Sequence, residues 1–176
     1  MMTWPRPHST TELRAFLGLT GYYRKFVRNY GVIAKPLTSL LKKKQFEWTE
    51  QATVAFEALK LAMTTTPVLA LPDFGVPFTV ETDASDVGIG AVLMQNGRPI
   101  AFLSKAMSAT NKHLSIYEKE FLALMMAVDR WRSYLQFQEF VIKTDHQSLC
   151  FLEGQPLQSD LQRKAMSKLM GLQFRI

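Results

Sequence analysis

Short apolar stretches in the second half of the chain carry the pattern of β-strands. In the first of them, apolar and polar side chains alternate from Phe78 to Asp83, which is the period of two expected of a half-buried strand. Two further stretches, 88–95 and 98–105, flank an Asn-Gly dipeptide, which favours a two-residue β-hairpin. The fourth stretch, 139–145, is again apolar and, like the first, ends in Thr-Asp. The pattern therefore predicts four strands.

Helical periodicity separates the third strand from the fourth and also fills the first part of the chain. The pattern Ser-Ile-Tyr-Glu beginning at Ser115 is a capping box, and it opens a long helix whose apolar stripe continues to Leu135. Residues 1–72 are all helical in pattern and show no obvious large core of their own. A proline-marked connector at 66–73 follows them. We therefore predict a helical segment over 1–72 and a mixed α/β domain over 73–176.

Within the helical segment, capping residues and glycines give the expected boundaries. Ser9 begins a capping box at the start of the first helix, and Gly18 and Gly21 are expected to interrupt that helix. Thr49 is expected to cap a later helix that runs to Met63.

Carboxylates recur at the strand ends and at the start of the long helix. Asp83 and Asp145 each end a strand, and Glu118 and Glu120 lie in the first turns of the helix. At 100° per residue, Glu120 falls on a shoulder of the apolar stripe beside small residues, whereas Glu118 falls beyond the opposite shoulder. Asp83, Glu120 and Asp145 could thus hold a hard divalent cation through oxygen, although a lone strand-end Asp is also typical of a turn or a cap.

The net charge of +6 is concentrated in the helical segment. Residues 1–72 carry ten Lys and Arg against four Asp and Glu, whereas the remainder is balanced. The excess lies in two clusters, which consist of Arg24, Lys25, Arg28 and of Lys42, Lys43, Lys44. Tyrosine and phenylalanine residues interleave the first cluster, a mixture that suits a nucleic-acid backbone beside exposed bases. A solvated helix face with some core aromatics remains the alternative.

Composition excludes several other classes of protein. Cys150 is the only cysteine, so no intramolecular disulfide can form. No apolar run approaches the roughly 20 residues needed to span a bilayer, and the start of the chain lacks the apolar core of a signal peptide. We expect an intracellular protein with no membrane partner.

Six motifs, in this order along the chain, resemble the polymerase polyprotein of gypsy-type LTR retrotransposons. They are Phe-Leu-Gly-Leu-Thr-Gly-Tyr-Tyr-Arg-Lys-Phe (16–26), Pro-Leu…Leu-Leu-Lys-Lys (36–43), Glu-Thr-Asp-Ala-Ser (81–85), Gly-Ile-Gly-Ala-Val-Leu (88–93), Tyr-Glu-Lys-Glu (117–120) and Thr-Asp-His (144–146). The resemblance implies that 1–72 is the thumb and connection segment of a reverse transcriptase. It also implies that 73–176 is a ribonuclease H-like mixed sheet whose last strand and helix are missing, although 173–176 has the pattern of one more strand beginning.

The resemblance further implies an activity. In that family an Asp–Glu–Asp–Asp set holds two Mg²⁺ ions, for which Mn²⁺ can substitute, and these hydrolyse the RNA strand of an RNA–DNA hybrid. Carried over by position, Asp83, Glu120 and Asp145 are the first three members, and Asp83 would bridge the two ions. The expected partners are the hybrid and the upstream polymerase fingers and palm, and the expected location is a cytoplasmic particle or the nucleus.

Two departures from the family pattern affect the expected activity. The fourth Asp and its helix have no counterpart, and neither do the polymerase palm aspartates. The isolated chain is therefore expected to be a weak or inactive nuclease, with apolar surface around Trp131 uncovered. The alternative function is a non-catalytic remnant that binds nucleic acid or serves a structural role.

Overall fold

A computed structural model describes residues 1–42, 45–65, 69–144 and 160–176 of the chain. The helices of the first part are α1 (Thr10–Tyr22), a 3₁₀ turn (Arg24–Phe26), α2 (Tyr30–Ile33), α3 (Lys35–Leu40) and α4 (Glu50–Thr64). The second part contains β1 (Thr79–Ala84), β2 (Gly88–Gln95), β3 (Arg98–Ala106), a 3₁₀ turn (Thr110–His113), α5 (Ile116–Leu135), β4 (Phe140–Lys143), α6 (Asp160–Leu169) and β5 (Phe174–Arg175).

The described strands form one mixed sheet in the order β3-β2-β1-β4-β5. β1, β2 and β3 make an antiparallel meander, whereas β4 runs parallel to β1 and β5 runs parallel to β4. A parallel neighbour requires a crossover, and α5 supplies it between β3 and β4. The mixed α/β sheet predicted from the sequence is therefore confirmed.

The core of the sheet lies between β1 and α5. Phe78 and Val80 are fully buried, and they pack with Phe121, Leu124 and Val128 of the helix. Ser115 caps α5 as predicted, because its hydroxyl accepts from the backbone of the third helical residue in a complete capping box. The hairpin between β2 and β3 also turns at the predicted Asn-Gly pair, where both residues have positive φ.

The far edge of the sheet differs in part from the expectation. Phe174 pairs with Phe140 and Arg175 with Val141, so the strand beginning predicted at 173–176 is present and covers this part of β4. The expectation that the last strand is missing is therefore wrong for these two residues. The expected uncovered surface around Trp131 is also wrong, because α6 packs on α5 and leaves that side chain 3% exposed.

The helical segment contradicts two expectations. Helix α1 continues through Gly18 and Gly21 without a break, after the predicted cap at Ser9. The segment also has a core of its own, in which fully buried side chains from different helices pack together; it includes Leu13, Phe16, Leu37, Ala52 and Leu59. The predicted Thr49 cap of α4 is confirmed, since its hydroxyl accepts from the backbone amide of Ala52, the third residue of the helix.

The helical segment packs directly against the hairpin of the sheet. The backbone amide of Gly31 donates to the Ser104 hydroxyl at 2.7 Å, and the Lys35 ammonium donates to the Met107 carbonyl at 3.5 Å. Helix α2 therefore lies on β3 rather than being joined to the sheet only through the connector at 66–73. The boundary between 1–72 and 73–176 remains a prediction. Among the described residues, no helix is both long and apolar enough to cross a membrane.

Candidate active site

Asp83 lies near the end of β1, on the face of the sheet that turns away from α5. Strand alternation fixes this position, because Phe78 and Val80 point into the core beneath the helix and Asp83 has the opposite parity. Its side chain is exposed, and its partner on β2 is Gly90. The carboxylate is therefore open to solvent at the end of a central strand.

Glu120 reaches the same strand end from α5. Its side chain is only 2% exposed, and Oε1 accepts a hydrogen bond of 2.9 Å from the backbone amide of Ala84, the residue after Asp83. Glu118, the competing candidate, accepts instead from the backbone amide of Ser115 in the exposed capping box. The structure thus brings Glu120 rather than Glu118 beside the end of β1, and its role as a metal ligand remains a prediction.

The third predicted ligand, Asp145, lies outside the described residues. Thr144, the residue before it, lines the same cleft as Asp83, because β4 runs parallel to β1 and pairs Lys143 with Glu81. Within the described ranges, no group of three or more His, Cys, Asp or Glu side chains is arranged to hold a metal ion. The described part of the chain therefore has Glu120 at the backbone amide that follows Asp83, and the grouping of the three carboxylates stays a prediction.

The cleft at Asp83 contains charges of both signs. It has a volume of about 350 Å³ and is lined by Arg28, Glu81, Thr82, Asp83, Lys143 and Thr144. Carboxylate oxygens are the ligands that Mg²⁺ and Mn²⁺ prefer, and they are accessible here. The accessible Asp83 carboxylate fits a hard divalent cation, whereas Glu120 is buried at the Ala84 amide and is not among the described residues that line this cleft.

An ion pair fixes the loop that follows Asp83. Lys119, the neighbour of Glu120, donates to Asp86 at 2.7 Å, and the side chain of Lys119 is 5% exposed whereas that of Asp86 is 84% exposed. The hydrogen bond and the charge of Lys119 lower the pKa of the Asp86 carboxyl. Consecutive residues of α5 thus anchor the end of β1 and the loop after it, through Glu120 to Ala84 and through Lys119 to Asp86.

We expect Asp86→Asn to lower the free energy of unfolding at neutral pH, because the buried Lys119 ammonium loses its carboxylate partner. Because the pKa of Asp86 is lowered in the folded state, its carboxylate stabilises the fold at pH values above the usual pKa range of Asp. This stabilisation is lost as the pH falls through the lowered pKa. Urea unfolding in metal-free buffer should therefore show a constant difference between wild type and variant near pH 7 that shrinks below about pH 4. A difference that persists unchanged to about pH 2 would contradict this role.

The six basic residues predicted to bind nucleic acid do not form one surface. Arg28 lines the Asp83 cleft, whereas Arg24 and Lys25 line a separate cleft of about 310 Å³ together with residues of β3 and α5. Lys42 is exposed just after α3, and Lys43 and Lys44 lie outside the described residues. Their role in binding remains a prediction.

Three further cations, not identified from the sequence, line these two clefts. Lys105 and Arg130 join Arg24 and Lys25, and Lys143 lies in the Asp83 cleft. The charge pattern contained no signal for them, because residues 73–176 have balanced charge and each of these cations stands apart from the clusters.

Comparison with known proteins agrees with this architecture. Residues 48–142 match a family model described as the RNase H-like domain found in reverse transcriptase. The chain is 46% identical over 160 residues to the retrovirus-related Pol polyprotein from transposon 297 of Drosophila melanogaster, which covers 88% of this chain and 15% of that polyprotein. The chain thus spans less than a fifth of the length of this relative.

Solved structures show the same fold. The foamy viral protease-reverse transcriptase dRH in complex with double-stranded DNA superposes with a TM-score of 0.86 over 98% of this chain and 32% of that one, at 24% identity. The foamy viral protease-reverse transcriptase in complex with an RNA/DNA hybrid superposes with a TM-score of 0.82 over 98% of this chain and 25% of that one, also at 24% identity. Since the family model matches more than half of the chain, the chain belongs to the family of RNase H-like domains found in reverse transcriptases.

Proposed function

We propose that this chain is the part of a retrotransposon reverse transcriptase that hydrolyses the RNA strand of RNA–DNA hybrids. The observation that carries the proposal is the contact of the Glu120 carboxylate with the Ala84 amide, directly after the exposed Asp83. A buried carboxylate from a helix and an exposed one from a strand are thereby placed at consecutive residues of β1, the first at the Ala84 amide and the second on Asp83. Asp145 is proposed as the third ligand.

The proposed cofactor is a pair of Mg²⁺ ions, or Mn²⁺ in their place. Bound at these carboxylates, such ions would activate a water for attack on the phosphodiester and stabilise the leaving 3′ oxygen. Asp83 is proposed to bridge the two positions, because its carboxylate is the accessible one. The Ala84 amide donates a hydrogen bond to one oxygen of the Glu120 carboxylate. This bond fixes the orientation of the carboxylate before a cation binds.

The proposed partners are an RNA–DNA hybrid and the polymerase fingers and palm of the parent polyprotein. Two similar structures hold double-stranded DNA and an RNA/DNA hybrid, which supports a nucleic-acid partner. Exposed cations in two clefts supply the charge that a phosphate backbone requires. The proposed location is intracellular, in a cytoplasmic particle or the nucleus.

Cleavage of a hybrid with a labelled RNA strand tests this function directly. We compare the 176-residue chain with the same chain extended through the family's closing Asp-bearing helix. The extended form is expected to cut RNA only in the hybrid and only with Mg²⁺ or Mn²⁺, while the 176-residue chain is weak or inactive. Cleavage in the presence of a chelator would refute the metal-dependent reaction. Equal rates for the two forms would contradict the need for a fourth carboxylate.

A non-catalytic nucleic-acid-binding module is the second candidate. It is favoured by the exposed cations in two clefts. Such a module would bind the hybrid with an affinity that falls as the salt concentration rises. It would show no Mn²⁺ binding by electron paramagnetic resonance and no cleavage in either form. Mn²⁺ binding that is lost in Asp83→Asn would instead support the nuclease.

A further inference from the structure

The helical segment covers part of the sheet face that bears Asp83. Gly88 of β2 lies so close to α2 that an added Cβ would be 2.6 Å from Val32 Cγ2. Gly31 is equally close to β3, since an added Cβ there would be 2.9 Å from the Ser104 carbonyl oxygen. Ser104, Gly90 and Asp83 are successive partners across β3, β2 and β1. The segment thus contacts the sheet at Ser104, in the cross-strand row of residues that also contains Asp83.

The loop between the first 3₁₀ turn and α2 brings a cation to this position. Asn29 has a φ of 58°, a left-handed conformation that Asn tolerates and that turns the chain just after Arg28. The amide oxygen of Asn29 would be 3.5 Å from a Cβ at Gly90. Arg28 and Asn29 also line a small enclosed space with Glu81 and Asp83, and Arg28 lines the open cleft with the same two carboxylates.

The charges in this cleft match the needs of a phosphodiester. Glu81 and Asp83 repel a phosphate that approaches them, and a cation on the protein offsets this repulsion at short range. Arg28 and Lys143 are the two cationic side chains of the cleft lining. A guanidinium can also bind two phosphate oxygens at once, which fixes the orientation of the backbone.

We propose that Arg28, supplied by the helical segment, binds a backbone phosphate of the substrate at the Asp83 site and positions the strand there. The inference rests on the proposed function, because it assumes that a nucleic-acid strand enters this cleft. It separates Arg28 from Arg24 and Lys25, which line the other cleft. The RNase H-like sheet and the segment before it then share one substrate site.

A double-mutant cycle in metal-free buffer tests this role without requiring cleavage. The hybrid affinity of the 176-residue chain is measured against salt for wild type, Arg28→Gln, Asp83→Asn and the double variant. We expect Arg28→Gln to weaken binding by about tenfold and to reduce the salt slope by about one. Asp83→Asn should strengthen binding, because a repelling charge is removed. The two changes in binding free energy should not be additive, since both substitutions act on the same phosphate.

Matched variants separate this role from a general effect of charge. Arg14→Gln removes an exposed cation from α1 and should change affinity little, with additive behaviour towards Asp83→Asn. Arg28→Lys should keep the salt slope but recover only part of the affinity, because an ammonium cannot bind two oxygens in the guanidinium geometry. Equal effects of Arg28→Gln and Arg14→Gln, or additivity between Arg28→Gln and Asp83→Asn, would overturn the proposal. If the 176-residue chain shows the expected cycle while the extended form neither binds Mn²⁺ nor cleaves the hybrid, the nuclease is refuted and the phosphate contact stands.

Discussion

If the extended form cleaves hybrids as proposed, replacing Asp83 by Asn is expected to reduce its cleavage rate in Mg²⁺ by at least about a hundredfold. A carboxylate that bridges two cations contributes several kcal/mol to the reaction, and each 1.36 kcal/mol corresponds to about tenfold in rate. The fold should persist, because the side chain is exposed and lies outside the core beneath α5. Single-turnover cleavage and thermal unfolding of the same sample measure both effects.

Two further variants test whether the loss of cleavage is specific to the proposed metal ligands. Glu120→Gln keeps an oxygen that can accept from the Ala84 amide while removing the charge, so it should also abolish cleavage with a modest change in stability. Asp160→Asn removes an exposed carboxylate on α6, far along the chain from β1, and should cleave as wild type does. An Asp83→Asn protein that cleaves within about threefold of wild type would exclude Asp83 as a bridging ligand.

Gly88→Ala is expected to lower the free energy of unfolding by about 1–3 kcal/mol, the usual cost of overpacking. Its Cβ would lie 2.6 Å from Val32 Cγ2 and 2.8 Å from the Lys105 carbonyl oxygen, and the second of these atoms is backbone in the neighbouring strand. Either α2 or the strand must move, so the contact between the helical segment and the sheet opens. The melting temperature should fall by about 2–4 °C for each kcal/mol.

Gly18→Ala provides the matched control for this substitution. Gly18 lies in the interior of α1, and among the described residues no atom beyond its chain neighbours and the backbone of its own helix lies within 4 Å of an added Cβ. Alanine there should stabilise the chain by about 0.5–1 kcal/mol through helix propensity. If Gly88→Ala also stabilises the chain, the close packing of α2 on the sheet is incorrect. If it destabilises the chain, it should also diminish the contribution of Arg28 to hybrid binding.

Local periodicity was a sufficient guide for the elements that hold the candidate site. Alternation placed Asp83 on the face opposite Phe78 and Val80, and the helical period favoured Glu120 over Glu118. The structure has Glu120 buried beside Ala84 and Glu118 in the exposed capping box. Both inferences depend only on which face of one element a residue occupies, and backbone geometry fixes that within a few residues.

Glycine and chain-end positions were less well predicted from the same patterns. Gly18 and Gly21 were expected to break α1, but packing of Leu13 and Phe16 in the helical core holds the helix through them. The cost of about 1 kcal/mol for a helical glycine is small beside the burial of two large side chains. Trp131 was expected to be uncovered, and only the packing of α6 on α5 decides otherwise.

The sequence by itself determined the first four strands, the capped starts of α1, α4 and α5, the family resemblance, and the choice of Glu120 over Glu118 at the end of β1. Only the tertiary structure decided that Arg28 and Lys143 share a cleft with Asp83, and that Arg24 and Lys25 line another cleft. It also decided that the helical segment packs against Gly88. The physical reason is the distance along the chain over which a sequence pattern carries structural information. A period of 2 or 3.6 residues encodes the faces of one element, whereas contacts between residues more than fifty positions apart depend on how two separately packed cores meet.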